Sequence, residues 1–153
     1  MIDEKHKNSI IRLFHVYRRY ENALALEDVS FDIARNEFVF VSGPSGAGKT
    51  TLLRLLYLEE KVSQGHIIVD GINLSRISKR KILDLRRKFG VVFQDYKLIA
   101  TKTVFENIAL VLEAIGKNRK TIPKKIESLL RTVGMQNRSN AYPPTLSGGE
   151  QQR

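Results

Sequence analysis

The residues with the clearest chemistry lie in Gly43-Pro44-Ser45-Gly46-Ala47-Gly48-Lys49-Thr50, which fits the phosphate-loop pattern G-x-x-x-x-G-K-[ST]. Gly43, Gly46 and Gly48 allow backbone conformations closed to other residues, so the N–H groups of the loop, including those of Ser45 and Ala47, can converge on an anion. A helix starting near Lys49 would add its unpaired first-turn donors and the positive end of its dipole. Lys49 should reach the outer phosphates of a nucleoside triphosphate, Thr50 should place a hydroxyl on Mg²⁺, and Thr51 should meet an inner phosphate. A second cluster closes the sequence: Leu146-Ser147-Gly148-Gly149-Glu150-Gln151. Ser147 and Glu150 have capping-box spacing, and Gly148 and Gly149 would leave backbone donors accessible at that helix start.

Positioning these groups requires strands before and helices after them. Glu37–Ser42 is a short apolar run with the composition of a buried parallel strand. After the loop, Leu52, Leu53, Leu55 and Leu56 would form the apolar face of a helix. Ser9–Tyr17 and Leu26–Ile33 read as earlier strands, the second from the alternation of Val29, Phe31 and Ile33, and Asn36 reads as a turn. Gly65–Gly71 reads as a strand and its closing turn, Ser78 as the cap of a basic helix through Lys88, and Gly90–Gln94 as a further strand.

Beyond that point the pattern becomes helical. Thr103 and Glu106 form a capping box, followed by Val104, Ile108, Val111, Leu112 and Ile115 at helical spacing and by Gly116 as a stop. Pro123 opens another helix carrying Ile126, Leu129, Leu130 and Val133, ended by Gly134. Pro143-Pro144 predicts an extended approach to the last motif. The organisation is therefore α/β, with a nucleotide-binding core over 9–95 and a helical subdomain over 96–153.

Composition narrows the function classes. The 153 residues suffice for a packed core, and no apolar run approaches the twenty residues of a membrane-spanning helix. The polar start, Met1 to Lys7, does not read as a signal peptide. With no cysteine there is no disulfide or thiolate metal site, which fits a reducing compartment. The net charge of +10, from 26 basic and 16 acidic residues, is concentrated in Arg76–Lys81, Arg86–Lys88 and Lys117–Lys125. Solvated helix faces account for it most simply, and attraction to an anionic inner leaflet is the second reading. No aromatic-rich basic strand or recognition helix accompanies the charge, so no nucleic-acid partner is expected.

The phosphate loop together with Leu-Ser-Gly-Gly-Glu-Gln resembles the nucleotide-binding subunits of ABC ATPases, over about Ser9 to the end of the chain. The resemblance implies a phosphate-loop ATPase core with N-terminal antiparallel strands and an inserted helical subdomain, binding ATP and Mg²⁺. It implies a homodimer in which ATP is held between one subunit's loop and the other's signature, so Ser147, Gly148 and Gly149 would contact nucleotide in trans. Gln94, in Val-Val-Phe-Gln-Asp, matches the glutamine that touches Mg²⁺ or the attacking water and couples the site to a membrane partner. Tyr20 matches the aromatic residue that stacks on adenine, with Tyr17 as a rival. The stretches 45–53, 85–98 and 103–109 resemble the cell-division members of the family, which work with an integral membrane protein at the cytoplasmic face of the inner membrane. ATPases of lipoprotein release or macrolide export are the alternative.

Two parts of that pattern are missing. The Walker B strand, which ends in Asp beside a catalytic Glu, has only an imitation in Ile67-Ile68-Val69-Asp70, followed by Gly71 and placed before the signature. His6, His15 and His66 all lie upstream of where the switch histidine belongs, and each reads as a surface or strand residue. The expectation is a cassette incomplete at its C-terminus, active as an ATPase in full length and inactive as this chain alone.

Overall fold

The computed structural model describes residues 8–153; the N-terminal segment with His6 lies outside the described residues. The chain divides into two compact units, one ending at Phe89 and the other spanning Gly90–Arg153.

In the first unit, β1 (Ser9–Tyr20), β2 (Ala23–Ala34), β3 (Gln64–Val69) and β4 (Ile72–Asn73) form an antiparallel sheet in the order β2-β1-β3-β4. β1 and β2 run longer than their apolar patterns suggest, because Glu21-Asn22 closes them as a two-residue hairpin with Tyr20 paired to Ala23. Helix α1 (Lys49–Leu56) packs Leu52, Leu55 and Leu56 onto Leu13, Val16, Leu26, Ile67 and Val69. Helix α2 (Lys79–Arg86) adds the fully buried Leu85. Each such leucine contributes roughly 1.5–3 kcal/mol through apolar burial. Leu53, expected on the buried face of α1, is instead 54% exposed, because its neighbours already fill the stripe facing the sheet. Ser78 sits at the α2 cap position, but its side chain makes no capping bond.

Two opposed bulges govern the β1–β2 pair. His15 and Asp28 both take positive φ, 44° and 47°, and the register slips there. Between the pairs Leu13↔Phe31 and Val16↔Val29, β1 carries one residue more than β2; between Val16↔Val29 and Arg18↔Leu26, β2 carries the extra one. The His15 ring nitrogen Nδ1 meets Asp28 Oδ1 at 2.7 Å, tying the bulges together. The extra residue changes the phase of β1, so Leu13 and Val16 are both buried although three positions apart. Gly65 accommodates the bulge on the other side: a Cβ there would lie 2.1 Å from the His15 carbonyl oxygen.

The expected strands at Glu37–Ser42 and Gly90–Gln94 do not form. Phe38 and Phe40 are 82% and 85% exposed and pack edge to face, and Val92 is 77% exposed. A parallel strand exists only through hydrogen bonds to neighbours distant in sequence. Among the described residues no strand pairs with either run, so apolar composition alone leaves them irregular.

The second unit is helical: α3 (Val104–Ala114), α4 (Ile122–Thr132) and the short α5 (Gly148–Gln152). Leu112, Ile122, Ile126, Leu130, Met135 and Leu146 form its buried centre, flanked by Val104 and Ile108. The Thr103–Glu106 box forms in both directions, Glu106 N donating to Thr103 Oγ1 at 3.2 Å and Thr103 N to Glu106 Oε2 at 2.7 Å. Asn107, which the sequence did not single out, pins the loop before α3 by donating to the carbonyls of Ile99, Lys102 and Thr103. Gly116 and Gly134 follow their helices at positive φ, and Pro123 lies in the first turn of α4. Val111, Ile115 and Leu129 were expected inside but are exposed. The inward stripe of α3 runs through 104, 108 and 112, and position 111 lies about 100° around the helix from 112. Pro143–Thr145 is a 3₁₀ turn rather than an extended segment, closed by Thr145 N to Tyr142 O and Leu146 N to Pro143 O. Proline's fixed φ suits both conformations, and the extended residues are those flanking the turn, Tyr142 before it and Leu146 after it.

Candidate nucleotide-binding site

The loop after β2 turns back through Pro44, whose carbonyl accepts from Ala47 N at 3.3 Å, and leads into α1. Gly48 caps that helix at φ 82° with no side-chain capping bond, so the first-turn N–H groups of Lys49, Thr50 and Thr51 have no partner within the helix. Its second role was not legible in the motif. A Cβ at Gly48 would lie 2.3 Å from the Ala25 carbonyl oxygen and 2.8 Å from Leu26 Cδ2, so glycine lets the helix start sit directly on β2. Gly43 and Gly46 also have positive φ, while Ser45 before Gly46 and Ala47 after it stand exposed.

Lys49 Nζ donates to Gly43 O at 2.8 Å and to Pro44 O at 2.7 Å. An ammonium group carries three donors, so the loop holds the lysine in place with two and leaves one for a ligand. Thr50 is exposed, and its hydroxyl makes no hydrogen bond among the described residues. No group of three or more His, Asp or Glu side chains that could hold a metal occurs among the described residues. The neutral Thr50 hydroxyl therefore fits a cation carried in with phosphates, and does not fit one bound by protein alone.

At the end of β1 the structure brings Tyr20, rather than Tyr17, to the phosphate-loop helix. The Tyr20 hydroxyl lies 3.5 Å from Thr51 Oγ1 and donates to Glu60 Oε2 at 2.5 Å. The Arg18 guanidinium stands 4.5 Å from the Tyr20 ring centroid and donates to the same carboxylate at 2.9 Å. The hydrogen bond from Tyr20, followed by those from Arg18 and Arg54, holds the Glu60 carboxyl below its ordinary range despite partial burial. Tyr17 instead keeps company with Asp28 and Glu27; burial first, and then those carboxylates, raise its phenol. Asp70, the imitation of a Walker B aspartate, sits at positive φ in a turn and is paired with Arg35 and, at 2.6 Å, with Lys88. That is a structural ion cluster.

The second unit carries the other candidates. Gln94 is exposed in the irregular segment after Phe93, just ahead of Tyr96 and Lys97 at positive φ. Ser147 caps α5, accepting from Glu150 N at 3.3 Å and donating its hydroxyl proton to Glu150 Oε2 at 2.8 Å. Arg138 Nε donates to the other carboxylate oxygen at 2.8 Å. The backbone and hydroxyl bonds from Ser147, then Arg138, bring the Glu150 carboxyl down to about 2. With that proton held by Glu150, Ser147 could donate to a phosphate only by rotating away from the cap. Gly148 and Gly149 are exposed, and their N–H groups open the helix without an intrahelical partner.

The ABC transporter family model matches residues 26–153. The cell division ATP-binding protein FtsE of Streptococcus pneumoniae is 47% identical over 146 residues, covering 95% of this chain and 64% of that protein. The methionine import ATP-binding protein MetN of Photobacterium profundum is 41% identical, covering 95% of this chain and 42% of that protein. Among solved structures, a dimeric ATP-binding cassette in a post-hydrolysis state with ADP and Pi aligns at a TM-score of 0.83 and 30% identity, over 92% of this chain and 65% of that one. The chain thus spans about two-thirds of the FtsE relative's length, 64%. A glycine loop running into α1, a capped signature helix and a family match covering both place this chain in the ABC transporter family of ATP-binding cassettes.

Proposed function

We propose that the chain is the nucleotide-binding part of an ATPase subunit acting with an FtsX-like integral membrane partner in bacterial cell division. The observation that carries this reading is the 47% identity to a cell-division FtsE protein over nearly the whole chain. In this reading the subunit is peripheral, at the cytoplasmic face of the inner membrane. It pairs as a homodimer with ATP between one copy's loop and the other's Ser147, Gly148 and Gly149. No helix among the described residues is long and apolar enough to cross the membrane, so anchorage through a partner suits it.

Within the site, loop N–H groups from Gly43 to Thr51, including those of Ser45, Gly46, Ala47 and Gly48, bind the phosphates, and the free Lys49 donor reaches the outer ones. Tyr20 takes the base and Thr51 an inner phosphate. Thr50 is the residue that would hold Mg²⁺, which neutralises phosphate charge when bound. ATP hydrolysis belongs to the whole protein in this proposal. Lys49→Ala should abolish tight ATP binding by calorimetry; unchanged affinity refutes the role given to Lys49.

The similarity to MetN favours a second reading, an ATPase subunit of an import complex. Affinity purification from membranes separates the two. Recovery of a four-span FtsX-like protein supports the first, and recovery of a solute permease supports the second.

A further inference from the structure

We infer that Glu60 is a positioning residue for the nucleotide base, locking Tyr20 against the phosphate-loop helix through a carboxylate shared with Arg18 and Arg54. The inference rests on the reading of Tyr20 as the base platform and goes beyond it, since no motif points to Glu60.

Glu60 follows α1, and its own N–H returns to Arg54 O at 3.3 Å. Its side chain is only 15% exposed. One oxygen accepts from Tyr20 at 2.5 Å and Arg18 at 2.9 Å; the other accepts from Arg54 of α1 at 3.4 Å. Glu60 thereby joins the last residues of β1 to the helix that carries Lys49, Thr50 and Thr51. A phenol has one proton, and it is directed to the carboxylate, so the Tyr20 oxygen can only accept from Thr51. The tyrosine is thus restrained at its hydroxyl by Glu60. Arg18 covers one ring face, and Tyr20 stays 36% exposed, which leaves aromatic surface on which a flat ligand such as a purine can stack. Without Glu60 the ring regains rotational freedom, and Arg18 loses the partner that keeps it stacked. A base would then have to order its own platform on binding.

Affinity for ATP and for inorganic tripolyphosphate, measured on the whole chain by competition against a fluorescent ATP analogue, tests this. Tripolyphosphate reports the loop alone, and the ratio of the two affinities reports the base. Stacking of a base on an aromatic side chain corresponds to about a tenfold effect. Glu60→Ala should therefore cut ATP affinity by about five- to tenfold. Tripolyphosphate affinity should stay within a factor of about two. Glu60→Gln, which keeps an oxygen for the Tyr20 hydroxyl, should recover most of the loss. Equal losses for both ligands, or no loss for either, overturn the inference. If Tyr20→Ala lowers the ratio and Glu60→Ala does not, the positioning role fails while the site stands. If Tyr20→Ala leaves the ratio unchanged, the base platform itself is misassigned.

Discussion

The two glycines of the phosphate loop with nearly equal φ provide a controlled test of how the loop is seated. Gly46 has φ 81° and Gly48 φ 82°, so alanine at either pays the same left-handed backbone cost, about 1–2 kcal/mol. The gain from a stiffer unfolded chain is likewise common to both, about 0.4–1 kcal/mol. Their surroundings differ. A Cβ at Gly46 meets nothing within 4 Å, whereas one at Gly48 would stand 2.3 Å from the Ala25 carbonyl oxygen. Backbone cannot swing aside like a side-chain tip, so α1 must lift from β2, at a further overpacking cost of about 1–3 kcal/mol. The Gly48→Ala variant should therefore be less stable than Gly46→Ala by that margin, a factor of about 5–150 in an opening equilibrium. Native-state amide exchange at the slowest amides of β1 and α1 reads this difference directly. Equal protection in the two variants, or greater loss in Gly46→Ala, refutes the claim that contact with β2 dictates glycine at position 48.

Two further outcomes follow from other parts of the molecule. The Glu150 carboxyl lies at about 2 against an ordinary 4.5, and a depressed value means the ionised form is favoured by folding. The stabilisation of the α5 cap should be complete above about pH 4.5 and disappear as pH falls toward 2; a carboxyl ¹³C titration with a midpoint near 4.5 contradicts it. The amides of residues 38–42 have no backbone hydrogen bond among the described residues and should exchange close to the unprotected rate, while Leu13 and Val16 in β1 are protected. Comparable protection of 38–42 in solution means that the run is paired after all.

Besides β1, β2 and β3, the features most legible in the sequence are those whose hydrogen bonds close within a few residues. The turn of Gly43–Thr50, the capping boxes of Thr103–Glu106 and Ser147–Glu150, and the glycine stops at 116 and 134 need no distant partner, and each took its expected form. Runs 37–42 and 90–94 carry the composition of strands, but pairing is a tertiary property, and composition could not supply it. Leu53, Val111 and Leu129 show the same limit for helices: periodicity gives an apolar stripe, and only the neighbouring element selects which edge of it is covered.

The choice between Tyr17 and Tyr20 shows this division most clearly. The amino-acid sequence by itself determines a phosphate-binding loop, a lysine to hold phosphates, and a tyrosine somewhere at the end of β1. Simple alternation from the buried Leu13 would turn Tyr17 toward α1. The bulge at His15 adds one residue, reverses the phase, and puts Val16, Arg18 and Tyr20 on that face instead. That bulge depends on Asp28 across the hairpin and on Gly65 in β3, residues 13 and 50 positions away from His15. Local chemistry names the groups that can touch a nucleotide; strand pairing between remote segments decides which of them stand together.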